Sequence, residues 1–237
     1  MLKYATSLFC LLSFYMMNAQ QTEPQSNQRP AANDSIVYKA DYGLRAGVDI
    51  ASLIRTAIDD EYTGFQIMAD YRLTKDWYIA GEIGTEILDR ETNQIDFETN
   101  GSFLKAGADY NFYGNWLDLD NMIYVGFRAG AASYSQTLKR FDFYEDIGAF
   151  PTQSRFPNEE FSGLTSFWAE VQAGVKVEVL NNLYLSINVQ LKRLVAEDQP
   201  DNFDNLYVPG FGRTYDTSEI GVGYSYGISY RIPFYKR

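Results

Sequence analysis

Glu82 and Glu86 are the two residues of the sequence whose spacing most resembles an acid–base pair. They lie in the stretch "WYIAGEIGTE" and would share one face of a β-strand, where a pair of carboxylates could act as general acid and base. Carboxylates at such positions also neutralise neighbouring cations, and Arg72, Lys105 and Arg128 occupy matching positions in other segments. We favour charge neutralisation over catalysis.

The composition removes the commoner routes to catalysis. The chain of 237 residues has no histidine and one cysteine, Cys10. Histidine is the most frequent general base and transition-metal ligand, and it is the usual partner of a serine nucleophile. We therefore expect no catalytic residue, no metal site and no cofactor. The net charge of −11 also disfavours a nucleic acid partner.

The elements that carry these charges are alternating segments. The clearest runs from Phe167 to Arg193, where apolar and polar residues alternate on both sides of Asn181-Asn182. Such a two-residue period predicts a β-hairpin with one apolar and one polar face. The period recurs eight times, and the first predicted strand is "YGLRAGVDIASLI", ending at Ile54. The fold class is therefore all-β, an eight-stranded antiparallel up-and-down barrel.

The polar face carries charges of both signs in equal number. We expect these residues to form a structural ion-pair network in an enclosed lumen, because a buried charge must be paired. Its members are Arg45, Asp49, Asp70, Arg72, Glu82, Glu86, Lys105, Asp109, Arg128, Glu170, Lys176, Glu178, Lys192 and Arg231. Glycines on the same face and aromatic residues towards the strand ends of the other face also favour a transmembrane barrel. A soluble lipocalin-like barrel with an apolar ligand stays an alternative.

The chain divides into three parts. Residues 1–19 have one basic residue, an apolar run and Ala19, which predicts a cleaved signal peptide. Residues 20–41 are polar, with Pro24 and Pro30, and predict a flexible periplasmic tail. Residues 42–237 form the barrel.

The connections alternate between short turns and long loops at 55–63, 87–101, 137–164 and 195–218. This is the layout of an outer-membrane barrel, with short turns in the periplasm and long loops outside. Most of these loops are rich in acidic residues, for which solvation is favoured over binding of a divalent cation. In the loop Pro200–Asp216, Phe203, Tyr207, Phe211, Arg213 and Tyr215 would form either an interaction surface or a cap over the barrel mouth, and the cap is favoured.

Several stretches also resemble a known family. "YGLRAGVDIASLIR", "YRLTKDWYIAGEIG", "NMIYVGFRAG" and "PDNFDNLYVPGFGRTYD" resemble a family of uncharacterised outer-membrane β-barrel proteins of Bacteroidota, which are Gram-negative. The resemblance spans nearly all of the mature chain and is distantly shared with small eight-stranded outer-membrane barrels. It implies an outer-membrane location and assigns no activity.

We therefore expect a monomeric, non-enzymatic outer-membrane barrel with a structural or surface-interaction role through its external loops. Its expected partners are outer-membrane lipid and lipopolysaccharide, the barrel-assembly machinery during biogenesis, and an unidentified surface ligand. A general porin is not expected, because eight strands leave an interior that side chains can fill. The alternative is a narrow channel for ions or small solutes.

Overall fold

The computed structural model describes residues 41–114, 120–143, 153–200, 204–214 and 218–236. The predicted signal peptide and nearly all of the predicted tail, 20–40, lie outside these residues. The elements in chain order are β1 Asp41–Asp49, α1 Ile50–Ile58, β2 Tyr62–Arg72, β3 Trp77–Glu91, β4 Ile95–Asn111, β5 Met122–Phe143, β6 Gln153–Arg155, β7 Glu159–Leu180, β8 Leu183–Glu197, β9 Tyr207–Val208, β10 Gly212–Arg213 and β11 Ile220–Lys236.

Eight long strands close into a barrel. Their hydrogen-bonded order is β4-β3-β2-β1-β11-β8-β7-β5, and a further pairing of β4 with β5 joins the two ends. All neighbours are antiparallel, and the first strand pairs with the last from Asp41↔Lys236 to Asp49↔Gly227. The short strand β6 extends the edge of β5. The predicted fold class, an eight-stranded up-and-down meander, is confirmed.

The apolar face of the strands looks outward. Ile83, Leu104 and Phe127 expose 55%, 56% and 55% of their surface, whereas Lys105 and Arg128 expose 2% each. In a soluble barrel of this size the apolar face would instead be the core. The lipocalin-like alternative is therefore wrong, and the exterior carries the apolar belt of a membrane barrel.

Aromatic side chains gather at the short-turn end of this belt. The ring of Tyr110 lies 5.0 Å from Trp77 and 4.8 Å from Phe112, centroid to centroid, in edge-on contacts. Tyr71 and Phe234 approach to 6.3 Å near the strand termini. This is the position of an interfacial aromatic girdle. At the same end Asn182 has φ +65°, as expected for the predicted Asn-Asn turn.

The first strand is shorter than predicted. It ends at Asp49, and the residues from Ile50 onward, predicted as strand to Ile54, form the helix α1. The Asp49 carboxylate accepts hydrogen bonds from the backbone N–H groups of Ala51 and Ser52 and so caps the helix. The apolar residues that follow, Leu53, Ile54 and Ile58, fit a helical face as well as an alternating strand.

In two of the predicted long loops, 87–101 and 137–164, most of the described residues are strand. β3 and β4 continue to Glu91 and from Ile95, and β5 continues to Phe143. In these extensions the pattern inverts, because the outside is now water rather than an apolar phase. Leu88 and Phe97 point inward and are buried, while their neighbours Asp89 and Glu98 point outward. Hydropathy alternation of reversed sign hid these strands from sequence reasoning.

Candidate functional site

The lumen is the candidate site, and its central part is a layer of ion pairs. Arg45 Nε donates to Asp70 Oδ1 at 2.6 Å, and Lys176 Nζ donates to the other oxygen of Asp70 at 2.5 Å. The Arg45 guanidinium also stacks on the rings of Tyr78, at 4.7 Å, and Tyr184, at 5.2 Å. One carboxylate thus joins β1, β2 and β7 across the barrel.

A second group of charges lies next to this layer, on the side away from the short turns. Lys105 Nζ is 3.0 Å from Glu82 and 3.5 Å from Glu170, and Arg128 contacts Glu82 at 3.6 Å and Asp109 at 2.7 Å. Glu82 therefore neutralises two cations, as expected, although not Arg72. Between the two groups the free space is only about 20 Å³, which has room for a single water molecule.

A third group closes the short-turn end. Asp120 receives Arg72 Nη1 at 3.2 Å on one oxygen and Arg231 Nη1 at 2.7 Å on the other. Arg231 also lies 3.5 Å from Glu178 and donates to Asn182 Oδ1 at 3.0 Å. Asp120 was not among the predicted lumen residues, because it belongs to the turn region before β5 and not to an alternating strand.

The opposite mouth is filled by a plug, residues Asp204–Thr214 of the β8–β11 loop. Val208 and Phe211 are 0% and 2% exposed, and they pack in a buried cluster with Phe103, Trp168 and Leu194. Gly210 has φ +76°, and a Cβ there would stand 2.5 Å from the Phe103 ring. The turn of the plug therefore requires glycine for both its backbone angle and its close approach.

Two wall residues hold the plug. Gln136 of β5, fully buried, accepts from the Leu206 N–H at 3.0 Å and donates to the Asp204 carbonyl at 3.1 Å. Glu86 of β3 accepts from the Tyr207 hydroxyl at 2.7 Å, from the Gly210 N–H at 3.0 Å and from the Tyr62 hydroxyl at 3.0 Å. Glu86 thus serves as an acceptor for the plug, whereas Glu82 binds Lys105 and Arg128.

The described part of the aromatic loop, residues 204–214, lies over the barrel mouth as a cap, and two of its aromatic residues are buried rather than exposed. Tyr207 and Phe211 are 7% and 2% exposed, because their rings complete the apolar core beneath the mouth. Arg213 is exposed at the rim. Phe203 and Tyr215, which were grouped with them, lie outside the described residues.

All fourteen predicted lumen residues point inward. Glu86 and Glu178 are half-buried, and the other twelve of the fourteen are buried. Asp49 differs in role, because it caps α1 and accepts from the Ser225 hydroxyl at 2.9 Å. Lys192 donates to the carbonyl oxygens of Gly210, at 2.8 Å, and Phe211, at 3.2 Å. Gln136 was not among the predicted lumen residues, although it follows the inward alternation of β5 and lies just before the predicted loop 137–164.

Beyond the apolar belt, at the end opposite the short turns, the extensions of β3, β4 and β5 carry a charged exterior. Arg140 binds Asp96 at 2.7 Å and Asp142 at 2.6 Å, and Lys139 binds Asp89 and Glu98. The hydrogen bond from Arg140 lowers the pKa of the Asp96 carboxyl. Hydrogen bonds from Lys139 to Asp89 and then Glu98 raise the pKa of that lysine. These carboxylates bind cationic side chains, and the described residues contain no cluster of carboxylates arranged to hold a metal ion.

None of the helices in the described ranges is both long and apolar enough to cross a membrane.

Closed meander, apolar exterior and ion-paired lumen together define the class of small eight-stranded barrels built for an outer membrane. Within that class the chain belongs to the family described as "Domain of unknown function (DUF6048)", whose model matches residues 1–237. The resemblance to an uncharacterised barrel family is thereby confirmed, and its origin in Bacteroidota stays a prediction.

Two solved structures are similar to the chain. Neisserial surface protein A (NspA) is 15% identical, with 81% of this chain and 95% of that chain covered and a TM-score of 0.42. Ail, the attachment invasion locus protein of Yersinia pestis, is 12% identical, with 82% and 99% covered and a TM-score of 0.39. No curated protein matches the chain.

Proposed function

We propose that the protein is a monomeric, non-conducting and non-enzymatic barrel of the outer membrane that acts through its rigid external hairpins. The observation that carries this proposal is the length of strand beyond the apolar belt. The register of β4 with β5 runs from Asn111↔Tyr124 to Ile95↔Phe141 with a single irregularity, next to Asp96. At roughly 3.4 Å per residue, the part of β5 from Ser133 to Phe143 extends about 35 Å along the strand.

The filled lumen supports the non-conducting part of the proposal. A channel would need the Arg45–Asp70 and Arg128–Glu82 contacts to separate, and it would need the plug to leave the mouth. Each contact belongs to a buried network of ion pairs, in which moving a charge away from its partners is costly. If the channel alternative held, neutralising both partners of a pair would raise bilayer conductance. We expect no change.

The non-enzymatic part rests on how the lumen carboxylates are used. Asp70, Glu82 and Asp109 each bind cationic side chains, and Glu86 accepts three hydrogen bonds. An acid–base residue needs a free position for substrate. A lipid A modification assay on cells with and without the gene should show no difference.

Location is tested by gel mobility of the outer-membrane fraction with and without heating, after an alkaline wash. A band that shifts on heating and stays with the membrane supports a folded barrel in lipid. A soluble band without a shift contradicts it.

The surface role is tested with a photo-reactive amino acid placed at Ser133, which is exposed above the belt. The matched position is Val189, which faces outward within the belt at 61% exposure. A discrete adduct at Ser133 that is absent at Val189 supports a specific surface partner. Identical lipid adducts at both positions contradict it.

A further inference from the structure

The wall of the barrel has a gap where β1 ends early. The pairing of β1 with β2 stops at Val48↔Ile67, and its pairing with β11 stops at Asp49↔Gly227. Beyond this point β2 continues to Tyr62 and β11 begins at Ile220, with no strand between them among the described residues. α1 lies here, and it contacts β2 and β11.

Side chains from this segment satisfy part of the two open edges. The Thr56 hydroxyl accepts from the Gly64 N–H at 2.8 Å and also lies 3.1 Å from the Gly64 carbonyl oxygen, to which it can donate. On the other side, Asp49 Oδ1 accepts from the Tyr226 N–H at 3.0 Å. Polar side chains here replace a missing strand.

The edge of β11 is less completely covered. The Tyr226 N–H faces the gap, and alternate residues of a strand direct their backbone groups to the same side. The backbone groups of Tyr224 and Val222 therefore face the gap too, and no hydrogen bond from them into it is found among the described residues. Their side chains, 65% and 78% exposed, belong to the apolar belt, where an unpaired amide is costly.

Behind the gap lies a cavity of about 310 Å³, lined by α1, β11, β8 and the plug. Ser52, Arg55, Gln190, Lys192, Val222 and Tyr224 are among its lining residues, so it reaches from the lipid-facing surface to the lumen. The plug closes the lumen on the extracellular side. An occupant would therefore enter sideways, between α1 and β11.

The polar end of the cavity carries more cations than carboxylates, with Arg55, Lys105 and Lys192 against Asp49 and Glu86. Lys192 is 6% exposed, and its ammonium donates to two backbone carbonyl oxygens, with no carboxylate within 4.0 Å among the described residues. An ammonium has three donors, and a buried one is ordinarily paired with an anion. Arg55 adds a second cation on α1, held by Asp59 at 3.2 Å.

We propose that this cavity binds a single-chain anionic amphiphile that enters from the outer leaflet. Its anionic headgroup would lie against Lys192, and its alkyl chain would leave between α1 and β11 across Val222 and Tyr224. The volume, at the low end for ligand pockets, suits a headgroup with the first part of one chain rather than a two-chain lipid. This site is independent of the surface role proposed above.

The test uses the full barrel in phosphatidylcholine nanodiscs, with empty nanodiscs as the background. Three twelve-carbon probes are titrated: dodecanoate, dodecanoyl lysophosphatidic acid and neutral dodecanol. We expect saturable binding of one or both anions, at least tenfold tighter than dodecanol. The preferred anion distinguishes a fatty acid from a lysophospholipid source. Equal uptake of all three, or uptake no greater than by empty nanodiscs, overturns the proposal.

Two variants locate the site. Lys192→Gln should weaken binding of the preferred anion at least tenfold while leaving dodecanol unchanged. Because this change also removes donors to the plug, Tyr224→Ala at the entrance serves as a second variant, with an expected loss of three- to tenfold. Its matched control is Tyr230→Ala, on the same strand and face below the gap, which should bind as the unaltered protein does. Equal effects of both tyrosine variants overturn the lateral entrance.

Discussion

The Tyr207 hydroxyl and the Glu86 carboxylate meet at 2.7 Å, although one belongs to the plug and the other to the wall of the barrel. Glu86 Oε2 also accepts from the Gly210 N–H, so a single oxygen holds the plug at two points. Through this contact the plug is attached to β3, although the two residues lie 121 positions apart in the sequence.

Replacing Glu86 by glutamine should loosen the plug without disrupting the barrel. The amide keeps the shape but loses the charge that strengthens three hydrogen bonds, for a cost of about 2 kcal/mol. We expect faster protease cleavage within residues 198–219 and a lower urea midpoint in detergent. Glu91→Gln, at the exposed end of β3, is the control and should behave as the unaltered protein. Equal cleavage of both variants would show that the plug does not depend on Glu86.

Asp120 should be among the most sensitive acidic residues of the lumen. Asparagine at this position removes the carboxylate that Arg72 and Arg231 share, and with it two charge-assisted hydrogen bonds, each worth about 1.5–3 kcal/mol. The free energy of unfolding, measured by tryptophan fluorescence in urea, should fall by an amount of that order. Asp60→Asn, at an exposed position, should change it by less than about 0.5 kcal/mol. A loss below 1 kcal/mol for Asp120→Asn would contradict the shared-carboxylate arrangement.

Gly210→Ala should destabilise the plug more than Gly163→Ala does. Both glycines have positive φ, +76° and +75°, so both changes carry the backbone cost of about 1 kcal/mol. Only at Gly210 would the added methyl meet a neighbour, the ring of Phe103 at 2.5 Å, whereas the space around Gly163 is open. Overpacking of this kind adds about 1–3 kcal/mol. Unfolding midpoints of the two variants, measured side by side, give the difference, and equal midpoints would show that the contact is absent.

The external hairpins should respond to acid through Asp96. Its pKa is lowered by the hydrogen bond from Arg140, so its contribution to stability is complete above the unfolded value of about 3.9 and is lost as the pH falls through the lower folded value. Carboxyl NMR titration in nanodiscs should give a midpoint for Asp96 below that of an exposed aspartate. Arg140→Gln should raise that midpoint, and an unchanged midpoint would remove Arg140 as the cause.

The strand pattern and the inward direction of the lumen charges could be predicted because both depend on a local two-residue period. The helix α1 was missed because Ile50–Ile54 satisfies both periods, and the deciding contact is the cap that Asp49 forms. The contacts of Gln136 with the plug join residues 70 positions apart, and no local pattern reports such a distance. Asp120 was missed because it lies in the turn region before β5, outside the alternating strands, and its partners Arg72 and Arg231 are far from it in sequence.

The pairing of β1 with β11 has a consequence for biogenesis. β11 follows the other seven wall strands in the chain, so the sheet has two free edges until β11 pairs with β1. The pairings of β1 with β2 and β11 are also the shortest in the wall, because β1 ends at Asp49, where α1 begins. We therefore expect the chain to require a chaperone that shields those edges until β11 pairs with β1. A product lacking β11 should remain a substrate for periplasmic proteases.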